Sequence, residues 1–136
     1  MSADSVTITF PARPEYLLLA RLALTGVARF VKADEEALAD LRLAVTEAAA
    51  NACRHAYAGG AGDVTVRFAL DDDRLEVVVE DDGPGFDRGS VEEWQADALG
   101  EDGMGLAIIR AVADQVEVGS RPGGVGTRLR FTRRLR

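Results

Sequence analysis

Residues 75–80, Leu-Glu-Val-Val-Val-Glu, are nearly continuous in valine and run into Asp81-Asp82-Gly83-Pro84-Gly85. A stretch of β-branched residues with so little polar relief suits a strand at the centre of a sheet. Such a strand needs neighbours. Just before it, Val64, Val66, Phe68 and Leu70 alternate with polar residues, and Asp71-Asp72-Asp73 supplies the hairpin turn between the two. Two further strands are expected over 115–119 and Thr127–Thr132, separated by the turn Arg121-Pro122-Gly123-Gly124. Another lies at the start, where Val-Thr-Ile-Thr-Phe (6–10) alternates before Pro11 and Pro14 end it.

Helices fill the intervals. From Glu15 to about Val31, Leu18, Leu22, Val27 and Phe30 recur at roughly helical spacing, with Leu19 and Ala23 beside them. Asp34 is a good N-cap for a second helix, and Glu35 and Glu36 favour the positive end of its dipole. That helix is expected to reach Tyr57 with a buried stripe of Leu38, Leu41, Val45, Ala48 or Ala49, Ala52 and Ala56. The run Gly59-Gly60-Ala61-Gly62 then stops it. A third helix is expected from Leu106 to Ala113. The order β-α-α-β-β-α-β-β predicts an α/β fold of the α+β two-layer kind. It has one mixed, mainly antiparallel sheet with helices on one face.

Bulk properties exclude several functions. The 136 residues suit one domain, 1–136, and 47% hydrophobic residues allow a real core. No run of 18 apolar residues exists, so no membrane span is expected, and the N-terminus lacks a secretory leader pattern, so the expected location is cytoplasmic. A net charge of −7 argues against direct nucleic-acid binding. The C-terminal arginines 128, 130, 133, 134 and 136 read either as a solvated strand face or as a docking patch for an acidic partner. Lys32 is the only lysine, so a Walker A loop is absent. His55 is the only histidine, so a histidine-rich metal site is absent too. Cys53 is the only cysteine and reads as a small buried apolar residue.

Four short patterns could carry chemistry. Glu47, Asn51 and His55 stand at successive i, i+4 steps on one helix face, and Asn51 is a poor helix former at mid-helix. The same spacing also suits an ordinary solvated face. Asp81-x-Gly83-x-Gly85 sets a carboxylate at a strand end, followed by glycines that let the main chain approach a ligand, or simply turn. Gly103-Met104-Gly105-Leu106 opens a helix whose free N–H groups suit phosphate. Gly126-Thr127 leads into the last strand. Neither glycine pair extends to a dinucleotide fingerprint, since positions 88 and 108 are Arg and Ile.

In order and spacing these patterns resemble the GHKL, or histidine-kinase-like, ATPase superfamily. Glu47-x-x-x-Asn51 looks like its N box, Asp81-x-Gly83-x-Gly85 like its G1 box, Gly103-x-Gly105 like its G2 box and Gly126-Thr127 like its last box. The stretches 47–57, 81–86 and 103–109 are especially similar to the anti-sigma serine/threonine kinases of bacteria. Ala50 stands where related kinases often have threonine. The segment 86–102 corresponds to the ATP lid, but it is short and Arg88 is its only cation.

The resemblance implies a site for ATP and Mg²⁺. Asp81 would accept a hydrogen bond from the adenine amino group, Gly83 and Gly85 would let the backbone reach the base, and Thr127 would add a hydroxyl. Asn51 would give its amide oxygen to the metal. The main chain of Gly103, Met104, Gly105 and Leu106 would meet the phosphates, and Glu47 would act as catalytic base. The implied partners are a sigma factor and a STAS-type anti-anti-sigma protein. The sequence leaves the oligomeric state open, although members of the family often form a homodimer. Two functions remain: a kinase that is also an anti-sigma factor, or a nucleotide-binding partner-switch module with little or no kinase activity.

Overall fold

The computed structural model describes residues 4–58, 62–82, 104–120 and 126–136. Its elements are β1 (Ser5–Pro11), a 3₁₀ turn (Pro14–Tyr16), α1 (Leu17–Ala28), α2 (Glu35–Ala58), β2 (Asp63–Asp71), β3 (Arg74–Asp81), α3 (Met104–Val112), β4 (Gln115–Ser120) and β5 (Thr127–Arg134). The sheet order is β1-β2-β3-β5-β4, so the valine strand β3 is central. Each adjacent pair is antiparallel. Because β5 lies between them, β3 and β4 run parallel to each other without touching, which leaves room for α3 to cross over from one to the other.

Alternation decides the two faces of the sheet. Val64, Val66 and Phe68 of β2, Leu75, Val77 and Val79 of β3, and Leu129 and Phe131 of β5 point to the helices and are buried. Phe68 and Phe131 are the largest of these, and burying such a side chain stabilises the fold by about 2–3 kcal/mol. The opposite face carries ion pairs: Glu76 with Arg67 at 3.4 Å and Arg130 at 2.5 Å, Glu117 with Arg130 at 2.7 Å, and Glu80 with Arg128 at 3.4 Å. Burial lowers the pKa of the Arg130 guanidinium, but the hydrogen bonds and charges of Glu76 and Glu117 outweigh it and raise the pKa.

Helix α2 is the spine of the second layer. The Asp34 carboxylate accepts from the Ala37 N–H at 2.8 Å, so the expected N-cap is formed. The C-terminal tail holds the same end, where the Asp34 N–H donates to the Leu135 carbonyl at 2.8 Å. Leu41, Val45, Ala48, Ala49 and Ala52 are all buried; at the first turn Ala37 takes the fully buried place and Leu38 is half-buried. The small residues at 48, 49 and 52 let the helix backbone lie close to the sheet.

Helix α1 differs from a simple stripe. Ala20 and Leu24 are its buried residues, whereas Leu18, Leu19 and Leu22 are exposed, as is Phe30 beyond its end. The C-terminal arginines follow the solvated-face reading. Arg133 grips the Asp40 carboxylate of α2 through Nε and Nη2 at 3.1 and 2.9 Å, and Arg134 lies 3.6 Å from Asp73. With Arg128 and Arg130 paired as well, four of the five are matched by acids of this chain, which removes most of the charge a docking patch would need. The segment 86–102 lies outside the described residues.

Candidate functional site

The middle of α2 brings Glu47, Asn51 and Arg54 together. Asn51 is 2% exposed, although asparagine in a helix interior competes with the backbone and is a weak helix former. Its Oδ1 accepts from Arg54 Nη2, and its Nδ2 has no partner in the structure. An unpaired buried amide N–H costs about 1–3 kcal/mol, so this side chain is not explained by packing.

The start of α3 closes on the same spot. A Cβ at Gly105 would stand 2.9 Å from Asn51 Nδ2, 3.2 Å from Asn51 Oδ1 and 3.2 Å from Glu47 Oε1. Only a residue without a side chain lets the first turn of α3 approach the acid–amide pair this closely. The first N–H groups of a helix lack intrahelical partners and carry partial positive charge. A helix start therefore faces a carboxylate, an amide and a guanidinium within one small region. Leu106, next along, packs its side chain into the core, so only its main chain is available to a ligand.

At the end of β3, Asp81 is 1% exposed, and Thr127 donates its hydroxyl to Asp81 Oδ2. The two residues are cross-strand partners, because β5 pairs with β3 and sets Thr127 opposite Asp81. Gly126 has φ +92°, and a Cβ there would come within 1.9 Å of the Asp81 carbonyl oxygen. The turn into β5 thus requires glycine. Asn51, Asp81 and Thr127 line one cavity of about 10 Å³ together with Ala48, Ala52, Val79, Val118, Arg128 and Leu129, room for roughly one water. Asp82, beside Asp81, serves the fold instead, since its carboxylate accepts from the Asp63 N–H at 2.9 Å.

Five of the expected site residues, Glu47, Asn51, Asp81, Gly105 and Thr127, therefore fall into one continuous region. Gly83, Gly85 and Gly103 lie outside the described residues, as do the side chains of Met104 and His55; Met104 itself opens α3. Cys53, two residues after Asn51 on α2, is buried, and desolvation raises its thiol pKa, with Arg54 opposing that rise and Asp81 adding to it. Arg54 does not stand out in the sequence. Its signal is the i, i+3 step from Asn51, which is common on any helix. Among the described residues no group of three or more His, Cys, Asp or Glu side chains could hold a metal by itself.

Comparison with known proteins bears on the fold and the family. The family model described as the histidine kinase-like ATPase domain matches residues 10–133. The serine-protein kinase RsbW of Bacillus pumilus is 37% identical, over 99% of this chain and 90% of its own length. The enzyme of the same name from Bacillus subtilis is also 37% identical, over 90% of this chain and 82% of its own. Among solved structures, the RsbU and RsbW domains of a Mycobacterium tuberculosis protein align over 97% of this chain with a TM-score of 0.69 and 25% identity, and this chain spans 32% of that one. The catalytic domain of histidine kinase ThkA shares the fold alone, at a TM-score of 0.51 and 15% identity. The chain belongs to the histidine kinase-like ATPase family, in the branch of the RsbW serine-protein kinases.

Proposed function

We propose that this protein is an ATP-dependent serine/threonine kinase and anti-sigma factor, whose phosphate acceptor is a STAS-type anti-anti-sigma protein and whose other partner is a sigma factor. The observation that carries the reading is the convergence of Glu47, Asn51 and Gly105, which sets an acid and an amide against the start of a helix. The kinase identity of the RsbW relatives supports it.

The residues fit a magnesium nucleotide. Asn51 is a buried amide whose oxygen already faces a cationic donor. One amide oxygen is enough protein contribution for Mg²⁺, which keeps waters and shares phosphate oxygens. When bound, Mg²⁺ would neutralise charge on the phosphates. Asp81 would accept from the adenine amino group, and guanine would be rejected because its carbonyl would face the carboxylate. The main chain at Gly105 and Leu106 would donate to phosphate.

Glu47 is the base in this reading. As the acceptor serine oxygen bonds to the γ-phosphorus, the hydroxyl proton passes to the Glu47 carboxylate. The bond from the γ-phosphorus to the bridging oxygen breaks, and ADP leaves with that electron pair. Retention of an acid at position 47 favours an enzyme over a purely binding module. Incubation with γ-labelled ATP and a candidate STAS protein tests this: label is expected on a STAS serine or threonine, and nucleotide binding without any transfer would leave only the binding module.

A further inference from the structure

The sheet face opposite the helices holds a trough of about 290 Å³, and strand register builds it. Ala69, Glu76 and Thr132 are cross-strand neighbours and form one row across β2, β3 and β5. Side chains on one face recur every second residue. The next row on this face is therefore Arg67, Val78 and Arg130, and on the other side Asp71 and Arg74 stand opposite each other at the hairpin turn. Small side chains at 69 and 132 between long ones leave the hollow, and all of these residues except Val78 line it. Glu76 is engaged, held by Arg67 at 3.4 Å and by Arg130 at 2.5 Å. Three other groups are not. Asp71 and Arg74, although opposite in register, form no ion pair with each other or with any other described residue. Thr132 is 2% exposed, and its hydroxyl has no hydrogen-bond partner. A buried hydroxyl without a partner costs stability, so packing alone would favour valine here.

We propose that this trough binds a free α-amino acid, with its carboxylate on Arg74 and the Thr132 hydroxyl and its ammonium group on Asp71. The charge pattern selects the class. A multiply charged anion would meet Arg74, but it would also lie against Asp71 and Glu76, and like charges this close repel. A simple cation meets the reverse problem at Arg67, Arg74 and Arg130. A zwitterion leaves neither Arg74 nor Asp71 unmatched, and it supplies the bond that the Thr132 hydroxyl lacks. The size agrees, because a hollow at the small end of ligand pockets suits a molecule of few atoms. Glu47 and Asn51 belong to the helix layer on the other side of the sheet, so this site is separate from the nucleotide region and does not depend on that reading.

NMR titration of the isotope-labelled full chain with each standard amino acid in turn tests this, with acetate, ethylammonium and inorganic phosphate as controls. At least one amino acid is expected to shift the amide signals of Ala69, Arg74 and Thr132 saturably, with a Kd of about 1 mM or below. Acetate and ethylammonium each carry half of the ligand's charge and should bind about tenfold or more weakly. Arg74→Gln and Asp71→Asn should each weaken amino-acid binding by about tenfold. Both side chains are exposed, so melting temperatures should stay at the wild-type value and show that the variants fold. Thr132→Val should weaken binding by about threefold or more without lowering the melting temperature. No saturable shift with any amino acid, or binding that Arg74→Gln and Asp71→Asn leave intact, would overturn the proposal. So would saturation by phosphate alone, which would make the trough a plain anion site.

Discussion

Gly126 and Asp81 meet backbone to backbone: a Cβ at Gly126 would lie 1.9 Å from the Asp81 carbonyl oxygen, and Gly126 has φ +92°. The start of β5 is thereby pressed against the end of β3, and Thr127 reaches the Asp81 carboxylate. Gly126→Ala would have to move one main chain off the other and adopt a backbone region that side chains avoid. Its expected cost is about 2–4 kcal/mol of stability, read as a lower midpoint in urea unfolding. An unchanged midpoint would show that the turn has room to relax.

Gly105→Ala should behave differently. The groups it would crowd are the tips of Asn51 and Glu47 rather than backbone. Those side chains can shift, so the fold should lose about 1 kcal/mol or less. The site should suffer more, because both groups leave their positions. Nucleotide affinity in Mg²⁺ should drop by about tenfold or more, with little change in melting temperature. A variant that bound normally would separate the start of α3 from the phosphates.

How far the sequence reveals these relationships depends on the residue. Val77 and Val79 announce a central strand, and Asp34 announces the start of α2, because strand burial and N-capping are local signals. Glu47 and Asn51 are legible from their spacing. The face of α1 is not: Leu-Leu-Leu-Ala-Arg-Leu-Ala-Leu is apolar nearly all round, so periodicity cannot say that Ala20 and Leu24 face inward while Leu18 and Leu22 face out. The Thr127–Asp81 contact depends on β5 inserting between β3 and β4, a long-range choice that no local pattern encodes. The arginines of β5 look like a basic patch in the sequence only because their acids come from Asp40, Asp73, Glu76, Glu80 and Glu117, scattered along the chain.

Glu47 gives the clearest split between chemistry and binding. Glu47→Ala should lower phosphoryl transfer by about 10²–10⁴-fold and leave nucleotide affinity within about threefold of wild type. Single-turnover transfer and calorimetric binding measured on the same preparation check both halves. Parallel loss of the two would make Glu47 a structural group rather than a base.

Cys53 offers a probe of the α2 packing. Burial raises its thiol pKa, so the folded protein keeps a neutral, shielded thiol. Iodoacetamide at pH 8 should modify the native protein at least about tenfold more slowly than the urea-unfolded chain. Because the folded pKa is the higher one, the thiol's contribution to stability is intact below the ordinary thiol range. It is lost as pH rises through that range toward the folded value, because the unfolded chain releases its proton first. Fast native alkylation would contradict the burial.

The most direct measurement compares ATP with GTP, each with Mg²⁺, by calorimetry on the wild-type chain and on Asp81→Asn. The account predicts that wild type binds ATP and discriminates against GTP by about tenfold or more, and that Asp81→Asn loses ATP affinity by about the same factor. Equal affinity for the two nucleotides, or an Asp81→Asn protein that binds ATP as wild type does, would contradict the placement of adenine at the end of β3.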